Sequence, residues 1–188
     1  MAEIVLFHHS QGLTPGVRAF ADDLTAAGHT VHVPDLFEGR MFDDVESGVA
    51  HAREIGFDTV LDRGVAAAEA FPAEVVYAGF SMGVMPAQKL TQTRPGATGA
   101  LFVDACLPVE EFGSWPDGVP VQVHGGVDDE WFAEDLESAR ALVGSTPTAE
   151  LFLYSGTAHL FADSSLQGHD PAAAGLLRQR TLAFLASL

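Results

Sequence analysis

The chain has 188 residues, a formal net charge of −17 and nine basic residues, of which only Lys89 is a lysine. That length suits one domain with an ample core, and 47% hydrophobic against 19% charged residues argues for a well-buried globular protein rather than a disordered one. No basic patch is available for nucleic acid or an anionic membrane. The single cysteine, Cys106, excludes an internal disulfide and a cysteine-based metal cluster. It follows the apolar run Ala100 to Ala105 and reads as a buried structural thiol. The opening Met1-Ala2-Glu3 has no signal-peptide pattern, and no apolar run approaches the roughly 20 residues of a membrane span. A cytoplasmic, enzyme-sized domain is expected.

In chain order, Ile4 to His8 is a short apolar run, the pattern of a strand covered on both faces. Thr14-Pro15 supplies an N-cap and first helical residue, and Val17, Phe20, Ala21 and Leu24 form one apolar face. His29 to Pro34 is a second strand, in which His29 and His32 alternate as structural or surface residues. Asp35, Glu38 and Arg40 follow it. Asp43 to Ile55 and Asp58 to Phe71 predict two helices, with Val45, Val49 and Ala52, then Leu61, Val65 and Ala68, facing inward.

The stretch from Glu74 to Val84 runs through apolar and small residues into Gly79-Phe80-Ser81-Met82-Gly83, and a helix from Met85 to Thr93 follows. Gly-x-Ser-x-Gly between a buried strand and a helix is the nucleophile-elbow pattern, which puts a serine hydroxyl at the tip of a strained turn. Alone, the pentapeptide fits equally a Gly-rich turn whose serine caps a helix.

Gly99 to Asp104 is a fourth strand, and the loop Ala105 to Val119 is too short for a lid domain. Pro120 to His124 is a fifth strand, ending in Gly125-Gly126-Val127-Asp128-Asp129. A helix over Glu130 to Val143 buries Phe132, Leu136, Ala139 and Leu142. Glu150 to Tyr154 is a sixth strand, followed by Ser155-Gly156-Thr157-Ala158-His159. Asp170-Pro171 opens a last helix with Leu177, Phe184, Leu185 and Leu188 inward.

This alternation predicts an α/β fold: one domain over residues 1–188, with a mostly parallel, doubly wound sheet of about six strands. Ligands bind such sheets at the carboxyl ends of the strands. Ser81, Asp128 and His159 follow the third, fifth and sixth strands, in the chain order of the α/β-hydrolase triad. An imidazole must take the proton of a poorly nucleophilic serine, and a carboxylate must orient the imidazole. Asp128 is preferred over its neighbour Asp129, which can cap the next helix. Oxyanion donors are expected from the backbone N–H groups of Met82, at the helix start, and Ser10, after the first strand. His8, His9, His124 and His159 all fall near strand ends, but no metal-ligand spacing links them, so no metal or other cofactor is expected.

Gly-Phe-Ser-Met-Gly, Pro34-Asp35-Leu36-Phe37, His124-Gly-Gly-Val-Asp128, Gly156-Thr-Ala-His159-Leu-Phe161 and Arg180-Thr-Leu-Ala-Phe-Leu together resemble the dienelactone hydrolase family over nearly the whole chain. The resemblance implies a cofactor-free α/β hydrolase that cleaves a small ester or lactone through an acyl-enzyme. The chain departs from the family's founding members in four ways. Their nucleophile is cysteine, where this chain has Ser81. A glutamate at the end of their first strand corresponds to His9. Of their two substrate-binding arginines, one corresponds to Asp163 and the other falls near Gly39-Arg40. The two leading strands of the common fold are missing.

His9, Arg40, Trp115, Phe161 and Asp163 are therefore expected around the substrate, with Phe112 as a further wall. Asp163 in a chain already at −17 predicts that neutral or cationic esters and lactones are preferred over anionic ones. An acyltransferase on the same triad, or a non-catalytic binding protein on the same scaffold, are the alternatives. The sheet order is expected to be second, first, third, fourth, fifth, sixth. The second strand then lies at an edge, served by either a homodimer or helical cover from Asp43–Ile55.

Overall fold

A computed structural model describes residues 1–156 and 158–188. Thr157, inside the Gly156–His159 motif, lies outside the described residues. The strands are β1 (Glu3–Phe7), β2 (Thr30–His32), β3 (Val76–Phe80), β4 (Gly99–Val103), β5 (Val121–Gly126) and β6 (Ala149–Tyr154). They form one sheet in the order β2-β1-β3-β4-β5-β6, with every neighbouring pair parallel, as the alternation of elements predicted. The helices are α1 (Pro15–Ala26), α2 (Val45–Ile55), α3 (Phe57–Ala68), α4 (Val84–Thr93), α5 (Glu130–Ala133), α6 (Leu136–Ser145) and α7 (Pro171–Ser187).

Successive strand residues serve opposite faces, so a sheet covered on both sides consumes whole apolar runs. Ile4, Leu6, Val76, Ala78, Leu101 and Val103 pack with Val17, Phe20 and Leu24 of α1 and Leu177, Phe184 and Leu185 of α7. Their alternates Val5, Phe7, Tyr77, Ala100 and Phe102 pack with Val60 of α3, Val84, Ala87 and Leu90 of α4, and Leu142 of α6. Tyr77 is fully buried, and its phenol meets the Arg94 guanidinium at 2.8 Å. Thr14 and Asp170 cap α1 and α7 as expected, each with proline at the first helical position.

Four expectations about the elements are corrected. β2 is three residues long, because the His29 N–H is taken by Leu24 O at the end of α1 and Pro34 has no donor. The helix expected over Glu130 to Val143 divides into α5 and α6. Asp135, at the division, accepts a hydrogen bond from the Cys106 N–H at 3.1 Å. Leu188 is about half exposed, with one methyl beside Gly99, rather than fully inward. Finally, β5 continues through Gly125 and Gly126, paired with Leu153 and Tyr154 of β6, which carries the following turn outward. Among the described residues no helix is long and apolar enough to cross a membrane.

Candidate active site

β3 ends at Phe80, and Ser81 opens a 3-10 turn, Ser81–Gly83, that runs straight into α4. Ser81 sits at φ +47°, in the left-handed region, at a cost on the order of 1 kcal/mol that the surrounding packing must offset. The turn can be this tight because a Cβ on Gly79 would collide with the Gly83 carbonyl, and one on Gly83 with the Phe7 and His8 carbonyls. The hydroxyl of Ser81 lies 2.8 Å from His159 Nε2. His159 Nδ1 lies 2.7 Å from Asp129 Oδ2. A carboxylate on Nδ1 selects the tautomer with the proton there, which leaves Nε2 free to accept from Ser81.

The carboxylate at the imidazole is thus Asp129, where the sequence pointed to Asp128. Asp129 is buried, whereas Asp128 is exposed and uses its backbone N–H on the Gly156 carbonyl. β5 continues through Gly125 and Gly126, and the turn after it, in which the Val127 N–H donates to the Tyr154 carbonyl and the Asp129 N–H to the Gly126 carbonyl, brings Asp129 inward. Capping and orienting are compatible in Asp129: Oδ1 accepts from the Trp131 N–H at 3.0 Å while Oδ2 faces His159. The Trp131 ring, partly exposed, lies 5.9 Å from the imidazole.

Ser10 and Met82 border the same cavity as Ser81 and His159. Met82 is in the first turn of a helical segment, where backbone N–H groups have no intrahelical acceptor. The Ser10 loop is held by its neighbours. The Leu36 N–H donates to His8 Nε2 at 2.9 Å, so His8 Nδ1–H donates to the His9 carbonyl at 2.8 Å. Burial lowers the His8 pKa to about 4, against the pull of that carbonyl, so the ring stays neutral. The Gln11 N–H donates to His9 Nδ1, so His9 Nε2–H donates to Asp163 Oδ2 at 2.8 Å. Gly48 of α2 lies so close to the Ser10 carbonyl that a Cβ there would collide with it.

The cavity has a volume of about 420 Å³. Val45, Val49, Met82, Met85, Leu107 and Trp131 give it an apolar wall, and Arg53, Asp104, Glu134 and Asp135 give it charge. None of the five residues expected around the substrate lines it. His9 is fully buried against Asp163. Asp163 is buried too, accepting from His9, Thr14 and Ser165. Leu160, at φ +61°, turns the chain behind His159, so Phe161 packs on Tyr154 and Asp163 faces α1. Arg40 borders a separate hollow with Arg18 and Asp35. Trp115 packs edge-on against Phe102 and donates to the Val119 carbonyl, in a loop that must return to the amino end of β5. Phe112 does not line the cavity either.

The expectation of a carboxylate at the substrate through Asp163 therefore falls. The cavity's acidic residues are Asp104, Glu134 and Asp135 instead. Asp104 carried a readable signal, a charged residue closing the fourth strand, but looked like the strand's last residue. A larger hollow, about 550 Å³, lies between the 113–118 loop and the 145–148 turn and has no histidine or cysteine on its wall.

The other histidines near strand ends have partners of their own. His124 is hydrogen-bonded to Tyr154 and Gln122, and burial lowers its pKa to about 3. Cys106 is buried, and that burial, followed by the Asp135 charge, raises its pKa to about 12, so it stays a thiol.

The model of the dienelactone hydrolase family matches residues 1–188. No curated protein matches the chain. Among solved structures, one assigned as a dienelactone hydrolase from Klebsiella pneumoniae subsp. pneumoniae superposes with a TM-score of 0.78 at 18% identity, covering 100% of this chain and 88% of that one. An α/β-superfamily hydrolase from Xanthomonas campestris pv. campestris gives 0.66 at 20% identity and covers 100% of both chains. A butyrate-bound esterase from Thermogutta terrifontis gives 0.62 at 18% identity, covering 99% of this chain and 83% of that one. At these identities the likeness is one of fold.

Proposed function

Because the chain belongs to the dienelactone hydrolase family of α/β hydrolases, we propose that it is a serine hydrolase that opens a small carboxylic ester or lactone through an acyl-enzyme on Ser81. The observation that carries this reading is the unbroken hydrogen-bonded series Ser81–His159–Asp129, at 2.8 Å and 2.7 Å, whose serine and histidine border a cavity with an apolar wall. Its relatives of known fold include an esterase.

In the acylation step Ser81 Oγ attacks the acyl carbon while its proton passes to His159 Nε2. The carbonyl π electrons move to oxygen, and the N–H groups of Met82 and Ser10 stabilise that oxyanion. On collapse, the bond from the acyl carbon to the alkoxy oxygen breaks, and His159 returns its proton to the leaving alcohol. Asp129 holds the imidazole in the reactive tautomer and stabilises it as a cation. Water then repeats the sequence against the acyl-enzyme, with His159 as base, and regenerates Ser81. The apolar wall suits a short hydrocarbon acyl or alkoxy group, whose burial contributes about 0.8 kcal/mol per methylene.

Labelling with a fluorophosphonate and mapping of the adduct by mass spectrometry should place it on Ser81. Ser81→Ala should lower turnover of a simple aryl ester by several orders of magnitude. A variant that keeps more than about a tenth of the wild-type rate excludes the acyl-enzyme mechanism.

A further inference from the structure

β4 delivers one more carboxylate to the cavity that holds Ser81. In the sheet, β4 lies between β3, which carries Ser81, and β5, which carries Asp129. Phe80 pairs with Val103, and Val103 with His124, so Asp104 leaves the sheet at nearly the same level as the nucleophile. Asp104 is 2% exposed and lines the cavity together with Ser81 and His159. Neither of its carboxylate oxygens has a hydrogen-bond partner among the described residues. Its backbone is held at φ +59°, with the N–H donating to the His124 carbonyl at 2.7 Å.

A buried carboxylate with no close hydrogen bond, and only the nearby Leu160 amide to favour its charge, costs stability, and a left-handed backbone favours asparagine or glycine at least as well. Packing alone therefore gives no reason for an acid at this position. Its surroundings do. Burial raises the Asp104 carboxyl to about 7; His159 pulls it down, Asp129 pushes it up and the Leu160 amide pulls it down. Asp104 in turn helps to raise the Tyr154 phenol, on β6, where burial is the main cause. Glu134 and Asp135, on the α5–α6 side, and the Arg53 guanidinium of α2 share the cavity, and His124 beneath is neutral. Of all these groups, the one whose charge changes during an acyl transfer is His159.

We propose that Asp104 is a second carboxylate acting on His159, a positioning residue that offsets the imidazolium formed when Ser81 gives up its proton and that remains as a counter-charge when Asp129 is lost. This rests on the Ser81–His159 reading above. The covalent step is unchanged: Ser81 Oγ bonds to the acyl carbon, its proton moves to Nε2, and the leaving oxygen later takes that proton. Asp104 bonds to nothing in the substrate. It exchanges its own proton with solvent, and as the anion it stabilises the cationic imidazole more than as the acid.

The test is Asp104→Asn, which keeps the shape of the neutral acid and suits the left-handed backbone. With an uncharged aryl ester, the ratio of wild-type to variant kcat/KM should grow at least fivefold between pH 6 and pH 8.5, carried by kcat with KM changed less than twofold. Asp104→Gly, which fits the same backbone conformation, should give the same trend. In an Asp129→Ala background, adding Asp104→Asn should cost at least a further tenfold at pH 8.5. Parallel pH profiles for wild type and both single variants, or no added loss in the double variant, overturn the proposal. Fluorophosphonate labelling of Ser81 in wild type separates the two readings. Labelling with parallel profiles removes only the role of Asp104, whereas no labelling, with full activity in Ser81→Ala, removes the acyl-enzyme itself.

Discussion

Asp163→Asn should be among the most damaging single substitutions outside the Ser81 cavity. The carboxylate accepts from His9 Nε2, from Thr14 Oγ, and from both the N–H and the hydroxyl of Ser165. Burial raises its pKa, but those hydrogen bonds, His9 first, outweigh burial and bring it to about 2 from the usual 3.8. At about 1.36 kcal/mol per pH unit, that lowering gives on the order of 2 kcal/mol of stabilisation. An asparagine has one acceptor oxygen, so at least one buried donor loses its partner, for about 1–3 kcal/mol more. A total of about 3–5 kcal/mol corresponds to a fall in Tm of about 6–20 °C for a domain of this size. The sign with pH follows from a depressed pKa. The stabilisation is complete above about pH 4 and is lost as pH falls through about 2, so the gap between wild type and variant narrows only in that acid range. Urea denaturation at pH 7, 5 and 3 measures it. A loss below about 1 kcal/mol at pH 7, or a gap that shrinks between pH 7 and 5, refutes the reasoning.

Asp104→Asn should have the opposite effect on stability. Its carboxyl is raised from 3.8 to about 7, so the folded state keeps a proton that the unfolded chain releases between about pH 4 and 7. Wild type therefore loses stability as pH rises through that window, by up to about 4 kcal/mol. The variant should be the more stable protein at pH 8, with the difference vanishing near pH 4 in the same denaturation series. A difference independent of pH contradicts the placement of that carboxyl in an apolar setting. In turnover assays Asp129→Asn should lose on the order of 10⁴-fold in kcat, because an amide permits the wrong imidazole tautomer. Asp128→Asn, altering an exposed side chain, should stay within about twofold, and the reverse ranking would return the orienting role to Asp128.

Much of this arrangement was legible because it follows from periodicity and chain order. Apolar runs separated by helical patterns determine a parallel sheet, and a parallel sheet presents its strand ends to one side. Ser81 and His159 could be placed by that rule together with the Gly79–Gly83 turn pattern and the chain order of a serine triad. The choice between Asp128 and Asp129 could not, because it depends on whether the ladder continues through Gly125 and Gly126. Glycine has no side chain to display the alternation that marks a strand. The cavity wall was hidden differently. Val45 and Val49 were read correctly as inward-facing, but an apolar residue lining a cavity and one closing a core look identical in sequence. Asp163 was placed at the substrate by resemblance. The left-handed turn at Leu160 sends it behind the histidine, and leucine is a residue from which such a turn is rarely inferred.

The cross-links of the His9 loop have a consequence for how the molecule is made. His9 meets Asp163 across 154 positions of the chain, and Ser81 meets His159 across 78. On a ribosome, the β1, β3 and β4 segments emerge well before either partner does. Those strands can begin to pair and bury their apolar faces during synthesis, but His9 and the Ser81 hydroxyl gain these partners only when the 158–170 segment docks. Contacts of such long sequence separation close late and contribute to slow folding. Refolding followed by tryptophan fluorescence and, in parallel, by fluorophosphonate labelling should therefore show reactivity lagging behind compaction, with Asp163→Asn lengthening the lag.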